Sequence, residues 1–196
     1  LTNRRQRQMC IRDSIKTVGT ITFSSKFLVK KMIAPIDFSK ADCIVELGAG
    51  NGCITEGLIG RMTTSTKLLS FEINEQFCDL INDRIDDERL VLINDSAEKI
   101  ENYLKKQGFK HADHIVSAVP LVVLPKEIGI RIVEESIKCL KPGGLFIQLS
   151  YSPLQGKKFE NQFDNMKINF TMLNLPPAFV YAVSYTHLRA HETCGH

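Results

Sequence analysis

The stretch Ile44-Val45-Glu46-Leu47-Gly48-Ala49-Gly50-Asn51-Gly52-Cys53-Ile54-Thr55 constrains this chain more than any other. An apolar run carrying an acid meets three glycines at alternate positions, and helix-compatible sequence follows at once. That order reads as a strand, a tight turn and a helix start. Glycine admits positive φ and leaves no Cβ between the main-chain N–H groups and a ligand. The spacing is G-x-G-x-G rather than the G-x-G-x-x-G of a dinucleotide pyrophosphate site. A generic βα turn of an α/β protein is the plain alternative.

Along the rest of the chain, strands and helices alternate. A helix is expected over Lys26 to Ala34, after two candidate N-caps (Ser24 and Ser25) and stopped by Pro35. A helix over Ile54 to Met62 precedes a strand at Lys67 to Glu72. A helix over Asn74 to Ile85 leads to a strand at Leu90 to Ile93, then Asn94-Asp95-Ser96-Ala97. Ser96 to Gln107 reads as helix, His114 to Val119 as strand, and Lys126 to Leu140 as a long helix. The turn Lys141-Pro142-Gly143-Gly144 comes before a strand at Leu145 to Leu149. The last third predicts a helix near Lys158 to Asn165 and strands near Lys167 to Asn174 and Phe179 to Ala182. This alternation predicts an α/β fold: a mostly parallel sheet with helices on both faces and a C-terminal antiparallel strand. Right-handed crossovers bring the early strand ends to one edge, where open α/β sheets bind ligands. Glu46 with Gly48, Ala49 and Gly50, then Glu72, then Asp95 with Ser96, and Ser117 all fall at those ends. Glu72 stands about twenty residues beyond the glycines, the place of a ribose-binding carboxylate. Asp95 and Ser96 suit an exocyclic adenine amine, or simply an N-cap.

Both chain ends need separate treatment. Leu1–Ser14 and residues 184–196 lack any helical or strand period and resemble translated adapter sequence; both are expected to be non-native or disordered, leaving one domain over 15–183. The first segment holds Arg4, Arg5, Arg7 and Arg12 against Asp13, a surplus equal to the formal net charge of +3. The remaining chain is near neutral, so its basic balance is no argument for nucleic acid. His187, His191, Cys194 and His196 have ligand-like spacing, yet no folded turn chemistry surrounds them and no metal is expected. Cys43, Cys53, Cys78 and Cys139 show no paired spacing and read as reduced thiols of a cytoplasmic protein. The longest apolar stretch, Ile115 to Leu124, is too short to span a bilayer.

The glycine motif with its following carboxylates resembles the first motifs of Rossmann-like class I S-adenosylmethionine-dependent methyltransferases. Three further segments are similar to bacterial phospholipid N-methyltransferases, relatives of the ribosomal RNA adenine dimethylases. They are Gly19 through Ser24-Ser25 with the next helix; Val116-Ser117-Ala118-Val119-Pro120-Leu121 together with Gln148-Leu149-Ser150-Tyr151-Ser152-Pro153; and Asn174-Leu175-Pro176-Pro177-Ala178. The similarity runs over nearly all of 17–182, with one departure at Thr22-Phe23, where a proline is expected before the serine pair. It implies S-adenosylmethionine as cofactor and methylation of the amine of phosphatidylethanolamine towards phosphatidylcholine at a membrane surface. The cofactor is expected at Ser24, Ser25, Glu46, Gly48, Ala49, Gly50, Glu72, Asp95, Ser96 and Ser117, without metal.

The rivals are methylation of ribosomal RNA adenine N6 and of a small-molecule amine. An adenine amine is conjugated with its ring, so acceptors and a stacking aromatic are needed at the fourth strand's end. Ser117 to Leu121 supply neither an Asn at the start nor an aromatic at the end. An alkyl amine needs only deprotonation and alignment. Tyr151 is the candidate catalytic residue, orienting the amine or attracting a methylated headgroup through its ring; a packing role is the alternative. In the 26–34 helix, Lys26, Lys30 and Lys31 oppose Leu28, Val29, Met32 and Ile33. It either packs on the domain with a solvated basic side or touches anionic lipid. The expectation is a monomeric cytoplasmic enzyme, peripherally bound to the membrane, meeting an anionic surface and a phospholipid substrate.

Overall fold

The computed structural model describes residues 25–151, 165–171 and 177–184. The strands are β1 (Cys43–Leu47), β2 (Lys67–Phe71), β3 (Leu90–Ile93), β4 (Ala112–Ser117), β5 (Leu140–Ser150), β6 (Asn165–Thr171) and β7 (Ala178–Ser184). They form one sheet in the order β3-β2-β1-β4-β5-β7-β6. The first five pair in parallel, and β7 enters antiparallel between β5 and β6. The helices are α1 (Lys26–Ile33), α2 (Cys53–Ile59), α3 (Glu75–Asn82), α4 (Ile100–Lys106) and α5 (Lys126–Cys139). This is the mostly parallel α/β sheet that the alternation implied, in the Rossmann-like class I arrangement that the resemblance implied. The strand order reverses between β1 and β4, so a crevice opens where their C-terminal ends diverge.

Central strands buried on both sides carry apolar residues at consecutive positions. In β1 every residue is buried. Val45, Leu47, Leu69, Phe71, Ile115 and Phe146 turn to one face, against Ile100 and Leu104 of α4 and Ile132 and Val133 of α5. Ile44, Leu68, Val116 and Ile147 turn to the other, against Leu28 and Met32 of α1 and Ile54 and Leu58 of α2.

Some boundaries differ from expectation. The turn expected at Lys141–Gly144 is absorbed into β5, which runs on from Leu140 through a register shift opposite Ala112 and His114. The single helix expected from Ser96 is a 3-10 turn at Ala97–Lys99 followed by α4, because the Ser96 hydroxyl caps the short turn at Glu98 N–H. Of the helix expected near 158–165, residues 158–164 lie outside the described residues and Asn165 already belongs to β6.

The two readings of the first helix separate here. Ser25 caps α1 through Leu28 N–H, and Leu28, Val29, Met32 and Ile33 are buried in the domain core. Burying side chains of this kind stabilises by about 1.5–3 kcal/mol each, against roughly 1 kcal/mol per lysine near an anionic surface. The apolar face is therefore committed to the domain, and Lys26, Phe27, Lys30 and Lys31 remain outside.

Candidate functional site

The glycine loop is fixed from two sides. Gly48 and Ala49 N–H both donate to the Phe71 carbonyl at the end of β2, at 2.8 and 3.1 Å. On the other side, Ala118 N–H donates to the Leu47 carbonyl at 2.9 Å, joining the end of β4 to the end of β1. Gly48 has φ +75°, and a Cβ there would stand 3.2 Å from Val119 Cγ2 and 3.3 Å from Val119 N. Gly50 has φ +53°, and a Cβ there would meet nothing within 4 Å. The first glycine is demanded by packing against the neighbouring loop, the second by backbone conformation beside open space.

That space is a cavity of about 660 Å³, within the usual range for a small-molecule or cofactor site. Gly48, Ala49 and Gly50 line it beneath the strand reversal, and Glu72, Asp95 and Ser96 line it towards β2 and β3. Towards β4 and β5 its walls are Ala118, Val119, Pro120, Leu124, Leu149 and Tyr151. One end thus carries carboxylates, and the other is aliphatic with a single tyrosine.

Each acid has its own environment. Glu72 accepts from Gly50 N–H at 2.7 Å on one oxygen and from Asn74 N–H at 2.8 Å on the other, so this cavity-lining carboxylate also braces the glycine loop. Asp95 accepts from Ser96 N–H and Lys99 on Oδ1, and from Lys99 and the Tyr103 hydroxyl on Oδ2. Lys99 first, then Ser96 N–H and Tyr103, hold its pKa down at about 2. Glu46 lies behind the loop rather than on the cavity wall. Its Oε2 accepts from Thr55 at 2.8 Å and Ser70 at 2.6 Å, and Oε1 is sealed without a hydrogen-bond partner among the described residues. Burial pushes its pKa up to about 7 against the pull of those two hydroxyls, with the Glu72 charge adding to the rise.

Ser117 also sits behind the wall. It is fully buried, its hydroxyl lacks a partner among the described residues, and it pairs in register with Gln148 of β5. Gln148, to which sequence reading assigned no role, donates through Nε2 to the carbonyls of Val119 at 2.9 Å and Leu149 at 2.6 Å. Its signal was a lone amide inside the apolar run Leu145–Leu149. Ser25 serves as the α1 cap and is not among the cavity-lining residues, and Ser24 lies outside the described residues. The cluster His187, His191, Cys194 and His196 lies outside them as well.

A family model described as ribosomal RNA adenine dimethylase matches residues 18–153. The chain belongs to that family. It resembles an ornithine lipid N-methyltransferase from Singulisphaera acidiphila, 27% identical over 166 residues, covering 84% of this chain and 86% of that protein. It also resembles the ribosomal RNA small subunit methyltransferase A of Thermotoga maritima, 23% identical over 137 residues, covering 60% of this chain and 46% of that one. The chain therefore spans under half the length of that RNA enzyme. In fold it matches the O-methyltransferase TomG from Streptomyces achromogenes, solved with S-adenosylmethionine, at a TM-score of 0.68 and 14% identity, covering 92% of this chain and 89% of that one.

This member of the dimethylase family is a methyltransferase, and its cofactor is S-adenosylmethionine. The residues present suit that group. A nucleoside needs hydroxyl acceptors at the β2 side, where Glu72 stands, and a close backbone approach at the loop, where Gly50 opens on free space. The orphaned Glu46 Oε1, sealed beneath the same loop, leaves an acceptor for a buried bridging water.

Proposed function

We propose that this enzyme methylates the amine of a membrane aminolipid, phosphatidylethanolamine or its methylated derivatives. The observation that carries this reading is the acceptor end of the cavity: Ala118, Val119, Pro120, Leu124 and Leu149 with Tyr151. These aliphatic walls suit an alkyl amine on a flexible stem. A conjugated base amine calls for side-chain acceptors at the end of β4, and Ala118, Val119 and Pro120 supply none. The ornithine lipid relative supports the same class, since its likeness runs through most of both chains.

S-adenosylmethionine, when bound, supplies an electrophilic methyl group on a sulfonium centre. Glu72 holds the ribose hydroxyls, Gly48, Ala49 and Gly50 bring their backbone against the ligand, and Asp95 with Ser96 faces the base. Lys99 already occupies both Asp95 oxygens and is exposed enough to swing away. Tyr151, bordering the cavity and 41% exposed, orients the acceptor nitrogen or faces a methylated ammonium with its ring. The aliphatic walls keep bulk water from the nitrogen, which must be deprotonated to attack.

Among the described residues no helix is long and apolar enough to cross a membrane. The outer side of α1, with Lys26, Lys30 and Lys31, supplies weak and salt-screened attraction to an anionic surface. The test is methyl transfer to vesicles of phosphatidylethanolamine or ornithine lipid beside structured RNA, using protein trimmed of Leu1–Ser14. Methylated lipid is the expected product; transfer to RNA with none to either lipid overturns the reading.

A further inference from the structure

The segment Pro120-Leu121-Val122-Val123-Leu124-Pro125 joins β4 to α5 without one polar side chain. Loops are normally polar, and consecutive exposed apolar residues outside a core are unfavourable unless something covers them. Here the chain makes a tight turn, with Val123 N–H donating to the Pro120 carbonyl at 3.0 Å. The ends of the turn border the cavity and its tip faces outward. Pro120 and Leu124 line the cavity, whereas Val122 is 51% and Val123 75% exposed. Two further exposed apolar groups border the same opening: Ile73, 76% exposed, and Tyr151. They come from the ends of β2 and β5, so three separate loops bring apolar surface to the rim of one cavity.

We propose that this rim, led by Val122 and Val123, inserts into the interfacial region of a lipid bilayer. The inference rests on the aminolipid reading of the cavity and names the surface through which the substrate enters. Two arguments select a bilayer. First, Pro120 and Leu124 on either side of the two valines line the cavity, so a headgroup amine anchored by acyl chains beside the valines reaches the cavity without leaving the membrane surface. Second, four side chains expose far less than the roughly 800 Å² per partner that a stable protein interface requires. A bilayer needs no complementary shape, and a small apolar wedge is sufficient for shallow insertion. The rim differs physically from the lysines of α1: their attraction is screened by salt, and burial of valine is not.

The experiment compares the full chain with a V122S/V123S variant in sedimentation with vesicles of pure phosphatidylcholine and of phosphatidylcholine mixed with phosphatidylglycerol, at low and high salt. Cofactor affinity and methylation of detergent-dispersed aminolipid are measured alongside. The expected result is salt-resistant vesicle binding by the unaltered chain, weakened about tenfold or more in the variant, the scale of two valines leaving an apolar environment. Transfer to phosphatidylethanolamine added to the same vesicles should fall with it, with cofactor affinity and transfer to dispersed aminolipid unchanged. Equal vesicle binding by both proteins overturns the proposal, as does an unaltered chain that methylates dispersed lipid yet never binds vesicles. A chain that binds through the two valines but methylates no lipid upholds the rim and overturns only the aminolipid reading.

Discussion

The side-chain amide of Gln148 donates to the carbonyl of Val119 across 2.9 Å, tying the interior of β5 to the loop that walls the aliphatic end of the cavity. The same nitrogen reaches the Leu149 carbonyl, so two buried acceptors depend on one group. Gln148→Leu should cost about 1–3 kcal/mol of stability, because both carbonyls lose a donor away from water. Turnover should fall while cofactor affinity stays, since Glu72 and the glycines are untouched. Chemical denaturation, calorimetry and steady-state rates separate these effects; unchanged turnover would show that the loop holds its shape without the amide.

The two loop glycines should fail differently. Gly48→Val forces a side chain against Val119 at positive φ, so loss of folding stability and of cofactor binding should appear together. Gly50→Ala meets no neighbour, and its main effect should be weaker cofactor binding, with only a conformational cost of about 1 kcal/mol to stability. Paired thermal melts and binding isotherms check the contrast.

Glu72→Ala removes the acceptor of Gly50 N–H and the proposed partner of the ribose hydroxyls. Cofactor binding should weaken by about 1.5–3 kcal/mol, the range of charge-assisted hydrogen bonds. Undiminished affinity in calorimetry would exclude the carboxylate from ligand binding.

Glu46 should impose a pH dependence on stability. Its folded pKa is raised to about 7 from an ordinary 4.5, mainly by burial. Between those values the folded chain retains a proton that the unfolded chain releases, so stability falls as pH rises from 4.5 through about 7 and then levels off. The difference across that window is roughly 3 kcal/mol. Glu46→Gln keeps an oxygen acceptor for Ser70 and Thr55 and should flatten the profile, raising relative stability at about pH 8 more than at about pH 5. Urea midpoints at both pH values measure it; parallel profiles would mean that the carboxyl titrates normally.

Tyr151→Phe retains the ring and Tyr151→Ala removes it. If the hydroxyl orients the amine, both variants should lose turnover; if the ring attracts a methylated ammonium, Phe should retain the later methylations that Ala loses. Product distributions distinguish the two, and full turnover by both variants would leave Tyr151 as a packing residue.

Short-range chemistry in the sequence determined the strand–glycine–helix unit, the alternation of strands and helices, and the acids at strand ends. Those signals depend on the pleat period, on turn conformation and on neighbours a few residues away. They also carried the sheet direction and the antiparallel final strand, because crossovers of that length admit few topologies. Only the tertiary structure decided which polar groups reach the cavity. Glu46 and Ser117 occupy strand ends just as Glu72 does, yet pleat and packing turn them behind the wall, where Glu46 meets Ser70 and Thr55. The apolar side of α1 was open to lipid or to the domain until the core around Leu28 and Met32 claimed it. The bond from Gln148 to Val119 spans 29 positions and has no local signature beyond one amide in an apolar run. Side-chain direction at such points is settled by the elements on either face, and those meet only when the chain folds.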